Sequence, residues 1–330
     1  MRSHILITLY FLTVGRWRAR RATLRGKLAT YFGNWTRHGA FGINLTLRNI
    51  PFLLCHLFVP AGLTAFSAHA ETPAAEFVVP AGWHLVWHDE FDQLGLPDPL
   101  RWSYDVGGNG WGNHELEFYT YARPENARVE NGHLVIEARR EAWQGAAYTS
   151  ARLVTKNKGD WPAGRFEIRA KLPLGRGTWP AIWMLPTVWN LGDGQWPDNG
   201  EIDIMEHVGH NPGVVHASTH SRKNQWKNNT QRTATIPVPD AGTAFHTYAL
   251  EWDAEEIRIY VDDRLYFTSR KDGGDWTTWP FTRNFYLVLN LAVGGDWGAV
   301  KGIDDKSFPQ RMEVDFVRVY ERDTAPAVAR

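Results

Sequence analysis

Short segments in which hydrophobic and polar residues alternate recur along the chain beyond residue 80. Each is rich in β-branched or aromatic residues and bounded by Gly, Pro, Asn or Asp, as half-buried β-strands are. No stretch there keeps the period of about 3.6 residues that a helix needs, and no longer repeat is present. The pattern predicts one all-β domain, a sandwich of many strands. The clearest segments are His133–Ala138, Arg165–Leu172, Glu201–Glu206, Val214–Thr219, Thr247–Trp252, Glu256–Val261, Phe285–Leu291 and Glu313–Tyr320.

Residues 257–267 predict a β-hairpin. Two alternating runs flank the pair Asp262-Asp263, and two turn-forming residues between such runs are typical of a tight hairpin connection.

The first 70 residues differ from the rest and end in a secretory signal pattern. An apolar run over Ile50–Ala70 ends in Ala68-His69-Ala70, the small-x-small sequence typical of a cleavage site. We expect residues 1–70 to be a leader, with its apolar region at about residues 50–67 and cleavage after Ala70, and hence a secreted protein, extracellular or periplasmic. An uncleaved membrane anchor is the alternative, although two prolines and a histidine interrupt the run. Residues 1–49 are either an unusually long n-region or precede the true start codon.

Charge is distributed unevenly along the chain. The whole chain has 36 basic and 36 acidic side chains, but the leader holds nine Lys or Arg and no Asp or Glu. The 260 residues beyond it therefore carry a net charge of −9. An acidic body repels phosphate backbones and tolerates neutral substrates, so neither a nucleic acid nor a nucleotide is expected as a partner. Beyond Cys55 there is no cysteine, which excludes disulfide scaffolds, thiolate metal sites and thiol nucleophiles from the body.

Tryptophan is unusually frequent, with 15 of its 17 residues beyond the leader. Many stand next to Gly or Pro, in contexts typical of loops. An indole at a loop edge offers a flat apolar platform to the CH-rich face of a sugar, and nearby polar side chains can bind the hydroxyls. Trp87, Trp102 and Trp252 lie in apolar or strand-like contexts and are expected in the core. An acidic, tryptophan-rich, exported β-sandwich favours a carbohydrate ligand.

Three acidic residues alternate with apolar residues in the segment that begins at Glu201. Glu201 and Asp203 are two residues apart, so on an extended strand both face one side while Ile202 faces the core. Glu206 would face the opposite side of a regular strand. One extra residue near Met205, forming a β-bulge, would return it to the acidic face. Like charges held this close raise one another's pKa, and no structural role explains that cost.

Glycoside cleavage does explain this arrangement. A retaining glycosidase needs one ionised carboxylate as nucleophile and one protonated carboxyl as acid, about 5–5.5 Å apart. Two glutamates flanking a shorter aspartate can lean over a sugar from both ends, and the aspartate can hold one of them by a hydrogen bond. The structural alternatives are a solvated face of an edge strand and a calcium loop. The interleaved apolar residues argue against the first, and the spacing argues against the second.

The acidic motif and its flanks resemble glycoside hydrolase family 16, in its laminarinase-like, endo-1,3-β-glucanase branch. The motif has the bulged Glu-x-Asp-x-x-Glu form of that family, and the flanks follow in the same order. The resemblance extends from about Trp83 to Tyr320, nearly the whole body. The matching segments are Thr149–Lys156, Gly164–Glu167, Gly177–Pro186, Gly200–Glu206 and Leu289–Trp297.

The resemblance implies a fold and a set of site residues. The fold is a concanavalin A-like β-jelly roll, a sandwich of two curved antiparallel sheets with an open substrate cleft. Glu201 is implied to be the nucleophile, Asp203 its supporting partner and Glu206 the general acid/base. The period alone leaves a core position open for Trp183. The implied substrate-binding residues are Asn109, Arg152, Trp179, Trp183, His220 and Trp297.

The resemblance also implies a structural calcium ion far from the cleft. Its matching positions are Glu90, the carbonyl of Gly132 and Asp315, which offer the oxygen ligands that Ca²⁺ takes. The ion would stabilise the fold, and no cofactor is expected for catalysis. The implied organisation is a leader, a short N-terminal segment, a catalytic domain and a tail, at residues 1–70, 71–82, 83–322 and 323–330.

The expected reaction is endo-hydrolysis of β-1,3-glucosidic bonds in a laminarin-type β-glucan, as polysaccharide or oligosaccharide, by double displacement with retention. The net charge of −9 disfavours sulfated galactans. Mixed 1,3-1,4-glucan, another polysaccharide such as a galactan, and transglycosylation stay open. A non-hydrolytic β-glucan-binding lectin on the same scaffold is the alternative from another class, which three crowded carboxyls disfavour. We expect a monomer.

Overall fold

The structure, a computed structural model, describes residues 78–323. The leader over residues 1–70, most of the segment 71–82 and most of the tail 323–330 lie outside the described residues. Signal cleavage and export therefore stay predictions. No helix of residues 78–323 is long and apolar enough to cross a membrane.

Strands dominate the described chain, and helix is confined there to three short turns. The helix α1 spans Gly295–Gly298, and 3₁₀ turns span Trp226–Asn228 and Asp305–Ser307. In chain order the strands are β1 (Trp83–Asp89), β2 (Ser103–Tyr104), β3 (Glu117–Tyr119), β4 (Ala127–Glu130), β5 (His133–Trp143), β6 (Ala146–Ser150), β7 (Arg152–Val154), β8 (Asp160–Trp161), β9 (Gly164–Lys171), β10 (Thr178–Pro186), β11 (Glu201–Glu206), β12 (Val214–His220), β13 (Arg232–Pro237), β14 (His246–Trp252), β15 (Glu256–Val261), β16 (Arg264–Arg270), β17 (Phe285–Val293) and β18 (Gln310–Arg322).

The strands form two sheets. The first follows the order β16-β15-β14-β9-β18-β5-β6-β3, with β1 paired to β18 and β4 to β5. The second follows the order β13-β12-β11-β10-β17-β7-β2, with β8 also paired to β17. These pairs are antiparallel except β3 and β6, which run parallel because β4 and β5 separate them along the chain. The predicted sandwich of two antiparallel sheets is confirmed, with this single parallel pair as the difference.

The core lies between the two sheets and takes alternate residues of their strands. Phe166 and Ile168 enter it from the first sheet, and Ile182, Met184 and Leu289 enter it from the second; all five are fully buried. Each buried side chain of this size contributes about 1.5–3 kcal/mol relative to an exposed position.

Two of the three tryptophans expected in the core are buried there. Trp102 and Trp252 are at most 2% exposed. Trp87 is half-buried and packs edge to face on Trp102, with ring centres 5.7 Å apart. Aromatic pairs of this geometry stabilise the core by about 0.5–1.5 kcal/mol beyond the area that they bury.

The hairpin predicted around Asp262-Asp263 is confirmed. The strands β15 and β16 pair antiparallel on either side of it. Asp262 and Asp263 both have positive φ, 48° and 63°. Two successive left-handed residues form a turn whose twist matches that of the flanking strands, and Asp adopts this conformation more readily than most residues.

Candidate active site

Glu201, Asp203 and Glu206 lie on one side of β11, the side of the second sheet that points away from the core; we call it the cleft face. Ile204 and Met205 are fully buried in the core. The pairing of β11 with β12 shifts register between Asp203 and Glu206, and the pairing with β10 skips Ile204. This β-bulge places two consecutive residues in the core and returns Glu206 to the cleft face, which confirms the bulge predicted from the sequence.

A left-handed glycine leads the chain into β11. Gly200 has a φ of 89°, and a Cβ there would lie 2.8 Å from Pro280 and 3.0 Å from Phe285. A larger residue would therefore strain the backbone and clash with the core. In the loop before it, the amide oxygen of Asn199 accepts two backbone N–H groups at 2.9 Å each. The loop is thereby ordered just before Glu201.

Each of the two glutamates accepts one indole N–H. Trp196 Nε1 donates to Glu201 Oε2 at 3.0 Å, and Trp179 Nε1 donates to Glu206 Oε1 at 3.0 Å. An indole is a rigid donor that cannot accept, so each bond fixes one oxygen of a carboxyl and leaves the other oxygen for chemistry. The two glutamates are thus oriented from opposite ends of β11.

Asp203 lies between the glutamates and against a histidine. His220 Nε2 is 3.2 Å from Asp203 Oδ2 and 3.8 Å from Glu201 Oε1. One side-chain oxygen of Glu201, one of Asp203 and one ring nitrogen of His220 all lie within 4.8 Å of one another. His220 thus lies between Glu201 and Asp203, and its ring is 5.6 Å from that of Trp196.

The pKa of every carboxyl in this cluster is raised. Burial, followed by repulsion from Asp203, raises the pKa of Glu201 to about 8. The same two causes raise the pKa of Glu206 to about 8. Burial holds the pKa of Asp203 well above its ordinary value. The three carboxyls are therefore not all ionised at neutral pH, and the cluster keeps a proton available for acid catalysis.

Two of the expected substrate residues lie together beside Glu206. The rings of Trp179 and Trp297 pack edge to face with centres 5.4 Å apart. His216, on the neighbouring strand β12, packs edge to face on Trp297 at 4.8 Å. Both indoles are half-buried, so this end of the cleft face offers aromatic surface to a sugar ring.

Arg152 and Trp183 form a second group on the cleft face. The Arg152 guanidinium lies 4.7 Å from the ring centre of Trp183 and 4.8 Å from that of Trp111. Its Nε donates to Asp105 at 3.0 Å. Trp183 is half-buried and its indole N–H donates to Asn290 at 2.7 Å, so it lies on the cleft face and not in the core.

Asn109 and His220 both make contacts within the protein. Asn109 is exposed, and its side-chain oxygen accepts the backbone N–H of Trp111 at 3.2 Å. His220 is 5% exposed and its ring belongs to the carboxyl cluster. Substrate contact by either residue stays a prediction.

Several residues of the site were not singled out by the sequence. Trp196 was noted only as a residue beside proline, although it holds Glu201. Glu115 and Glu117 alternate as Glu201 and Asp203 do, and this spacing was the available signal. Asn290 is the one polar residue in the apolar strand Phe285–Val293, which is a second signal of a functional position.

The comparisons with known proteins agree with this geometry. The model of the family "Glycosyl hydrolases family 16" matches residues 114–318. A beta-glucanase of Rhodothermus marinus is 58% identical over 243 residues, 72% of this chain and 85% of the relative. The chain belongs to glycosyl hydrolase family 16.

One further relative and one solved structure also resemble the chain closely. A glucan endo-1,3-beta-glucosidase of Cryptopygus antarcticus is 38% identical over 252 residues, 72% of this chain and 91% of the relative. The X-ray structure of the laminarinase from Rhodothermus marinus superposes with a TM-score of 0.72 at 57% identity, covering 73% of this chain and 98% of that chain. The protein is therefore a glycoside hydrolase with the jelly-roll fold of these family 16 enzymes.

Arginines engage the two carboxylates implied as calcium ligands in this family 16 domain. Glu90 accepts from Arg318 through both oxygens, at 2.9 and 2.7 Å. Asp315 accepts from Arg169, and Gly132 lies in the turn between β4 and β5. Each carboxylate already has a cationic partner, whose charge would oppose a metal ion. As they lie, these residues do not fit a calcium site.

Calcium is accordingly expected to leave the melting temperature unchanged. A Ca²⁺ ion at about 100 times its Kd would add about 2.7 kcal/mol, which raises Tm by roughly 5–10 °C in a domain of this size. We expect calorimetric scans with added CaCl₂ and with EDTA to agree within about 1 °C. Arg318→Gln is the matched variant, because it removes the arginine whose charge opposes a metal ion at Glu90. A rise of several degrees with calcium in the unmodified protein would contradict the prediction.

Proposed function

We propose that the protein is a retaining endo-β-1,3-glucanase. The observation that carries the proposal is the placement of Glu201 and Glu206 on one face of β11, each held by one indole and separated by Asp203. Such a pair can act on both sides of one glycosidic bond.

The reaction takes two balanced steps. In the first, a Glu201 oxygen attacks the anomeric carbon while Glu206 gives its proton to the departing glycosidic oxygen, which leaves a glycosyl ester on Glu201. In the second, Glu206 takes a proton from water as that water attacks the same carbon and releases Glu201. Two inversions give overall retention. The raised pKa of Glu206 keeps the proton in place for the first step.

A neutral β-1,3-glucan is the substrate that the site favours. The relatives are a beta-glucanase, a glucan endo-1,3-beta-glucosidase and a laminarinase. The half-buried tryptophans of the cleft face, Trp179, Trp183 and Trp297, suit uncharged sugar rings, and the acidic body disfavours sulfated chains. Mixed 1,3-1,4-glucan is the second substrate to test. The intact carboxyl cluster argues against a lectin that only binds glucan.

The decisive experiment is to incubate the protein with laminarin, barley mixed-linkage glucan and agarose. Reducing ends and product sizes report cleavage, and proton NMR of the first products reports anomeric configuration. We expect β-configured oligosaccharides from laminarin. Binding without release would replace the proposal by the lectin, and activity on agarose alone would replace the substrate.

Each indole donor is expected to set one limb of the pH profile. A hydrogen bond to the charged form of a carboxyl lowers its pKa. In Trp179→Phe the pKa of Glu206 rises, so the alkaline limb of kcat/KM, where the acid loses its proton, moves up by up to roughly one pH unit. In Trp196→Phe the pKa of Glu201 rises, so the acid limb moves up instead. A limb that moves to lower pH in either variant would contradict the assigned pair.

We also propose export after cleavage at Ala70, supported by the apolar run and its small-x-small end. Sequencing the N-terminus of protein recovered from outside the cytoplasm tests this, and Glu71 is the expected first residue. We further propose a monomer, which light scattering coupled to size exclusion tests.

A further inference from the structure

A second pair of carboxyls, Glu115 and Glu117, lies outside the cluster on β11, beside the end of β17. The side chains of Glu115 and Glu117 lie within hydrogen-bonding reach of each other. Glu117 begins β3 and is fully buried, and its Oε2 accepts the backbone N–H of Val293 at 2.7 Å. Glu117 Oε1 is buried too and has no hydrogen-bond donor among the described residues.

The contact between these two carboxyls requires a proton. Two ionised carboxylates have no donor between them, so one must be protonated. Glu115 Oε1 accepts Asn113 Nδ2 at 3.1 Å and its Oε2 accepts the Tyr119 hydroxyl at 3.3 Å. Glu115 is thus surrounded by donors, whereas Glu117 is fully buried. The proton therefore belongs on Glu117 Oε1, in agreement with burial and the charge of Glu115 raising the pKa of Glu117.

A chain of hydrogen bonds with a single direction runs from Trp183 to this pair. The Trp183 indole can only donate, so the oxygen of Asn290 must face it, at 2.7 Å. The Asn290 amide nitrogen then faces the Tyr119 oxygen at 3.0 Å. Because that oxygen accepts from Asn290, the Tyr119 hydrogen is left for Glu115. Every donor in the chain points towards Glu115.

We propose that Glu115 and Glu117 are positioning residues that fix the indole of Trp183 as a sugar platform. With the proton on Glu117, Glu115 accepts the hydrogen bonds of its neighbours. Tyr119 then donates to Glu115 and Asn290 donates to Tyr119, which leaves the Asn290 oxygen facing the Trp183 indole. The Arg152 guanidinium covers part of the Trp183 ring. The orientation of the ring therefore determines how much of its surface a sugar can contact. This inference rests on the proposed function for the identity of the sugar, a β-1,3-linked glucan.

The test compares variants that keep the chain of hydrogen bonds with variants that interrupt it. Glu117→Gln keeps it, because a Gln nitrogen can donate to Glu115 while its oxygen accepts from Val293. Glu117→Met and Tyr119→Phe break it with little change in volume. Glu313→Gln is the matched control, a carboxyl paired with Lys171 at 3.1 Å on β18. Melting temperatures confirm that each variant is folded.

The readout is the Kd of a laminari-oligosaccharide, measured by calorimetry in a Glu201→Gln background so that no turnover is needed. Loss of one hydrogen bond in the chain should weaken binding about fivefold or more in Glu117→Met and Tyr119→Phe. Glu117→Gln should restore binding to within about twofold, a rescue that a purely structural role for the charge would not give. Glu313→Gln should bind as the parent does.

Infrared spectroscopy tests the proton separately. The carbonyl band of a protonated carboxylic acid should be present at neutral pH and lose one component in Glu117→Gln. Unchanged Kd in folded Glu117→Met and Tyr119→Phe, or an unchanged band in Glu117→Gln, would overturn the inference. Absence of laminarin cleavage by the unmodified protein would overturn the proposed function instead, and the two failures are therefore distinct.

Discussion

Replacing Glu201 by alanine is expected to lower kcat on laminarin by about 10⁴-fold or more, with the fold intact. Glu201 supplies the electron pair that forms the glycosyl ester, and no neighbouring group can substitute for it. Asp203 is shorter, is 3% exposed and lies against His220. The measurement is initial rates of reducing-end release, with melting temperature as the control for folding.

External azide distinguishes a lost nucleophile from other defects. The cavity left by Glu201→Ala admits the anion, which attacks the anomeric carbon directly and gives an α-glycosyl azide by a single inversion. An activated aryl laminaribioside should therefore be consumed again when azide is added. Near-normal activity of Glu201→Ala without azide, or a β-glycosyl azide from it, would contradict the assignment of the nucleophile.

The strands that the sequence predicted are those long enough to show an alternating or an apolar run. All eight alternating segments are strands, with only Leu172 falling just beyond β9. Strands β2 and β8 were missed because two residues carry no period. The strand around Trp183 was expected over Ala181–Leu185, and β10 begins three residues earlier because it pairs on both sides although Pro180 has no N–H to donate. The extent of these strands is set by pairing with neighbouring strands, and that pairing is a tertiary contact that the local sequence does not show.

The site was predictable as far as it lies within one segment. The carboxyls and the bulge follow from spacing within β11, because strand geometry converts spacing into direction. The hydrogen bonds from Trp196 to Glu201 and from Trp179 to Glu206 depend on a loop and on a neighbouring strand. The pair Glu115 and Glu117 was missed for a related reason. Its hydrogen-bond partners include Val293, and Asn290 links it to Trp183; both lie on β17, more than 170 residues away along the chain.

Replacing Glu206 by glutamine is expected to lower kcat/KM on laminarin by about 10²–10⁴-fold. The Gln oxygen can still accept the Trp179 indole N–H, so the variant removes the proton and keeps the geometry. A sugar leaving group is a poor one and needs that proton. An aryl laminaribioside with an acidic phenol does not, so its first step should be far less affected. Comparison of kcat/KM for the two substrates measures the contribution of the acid.

The pH profile gives this variant a second, independent signature. In the unmodified protein the pKa of Glu206 is raised to about 8, chiefly by burial. The pKa of Glu201 is raised to about 8 as well and the two carboxyls repel each other, so the pair loses its protons in two steps. Activity should fall with the second step, in which the acid loses its proton. Glutamine has no proton to lose in this range, so the alkaline limb should vanish in Glu206→Gln while the acid limb, governed by Glu201, remains. An alkaline limb that persists in the variant would place the general acid on another residue.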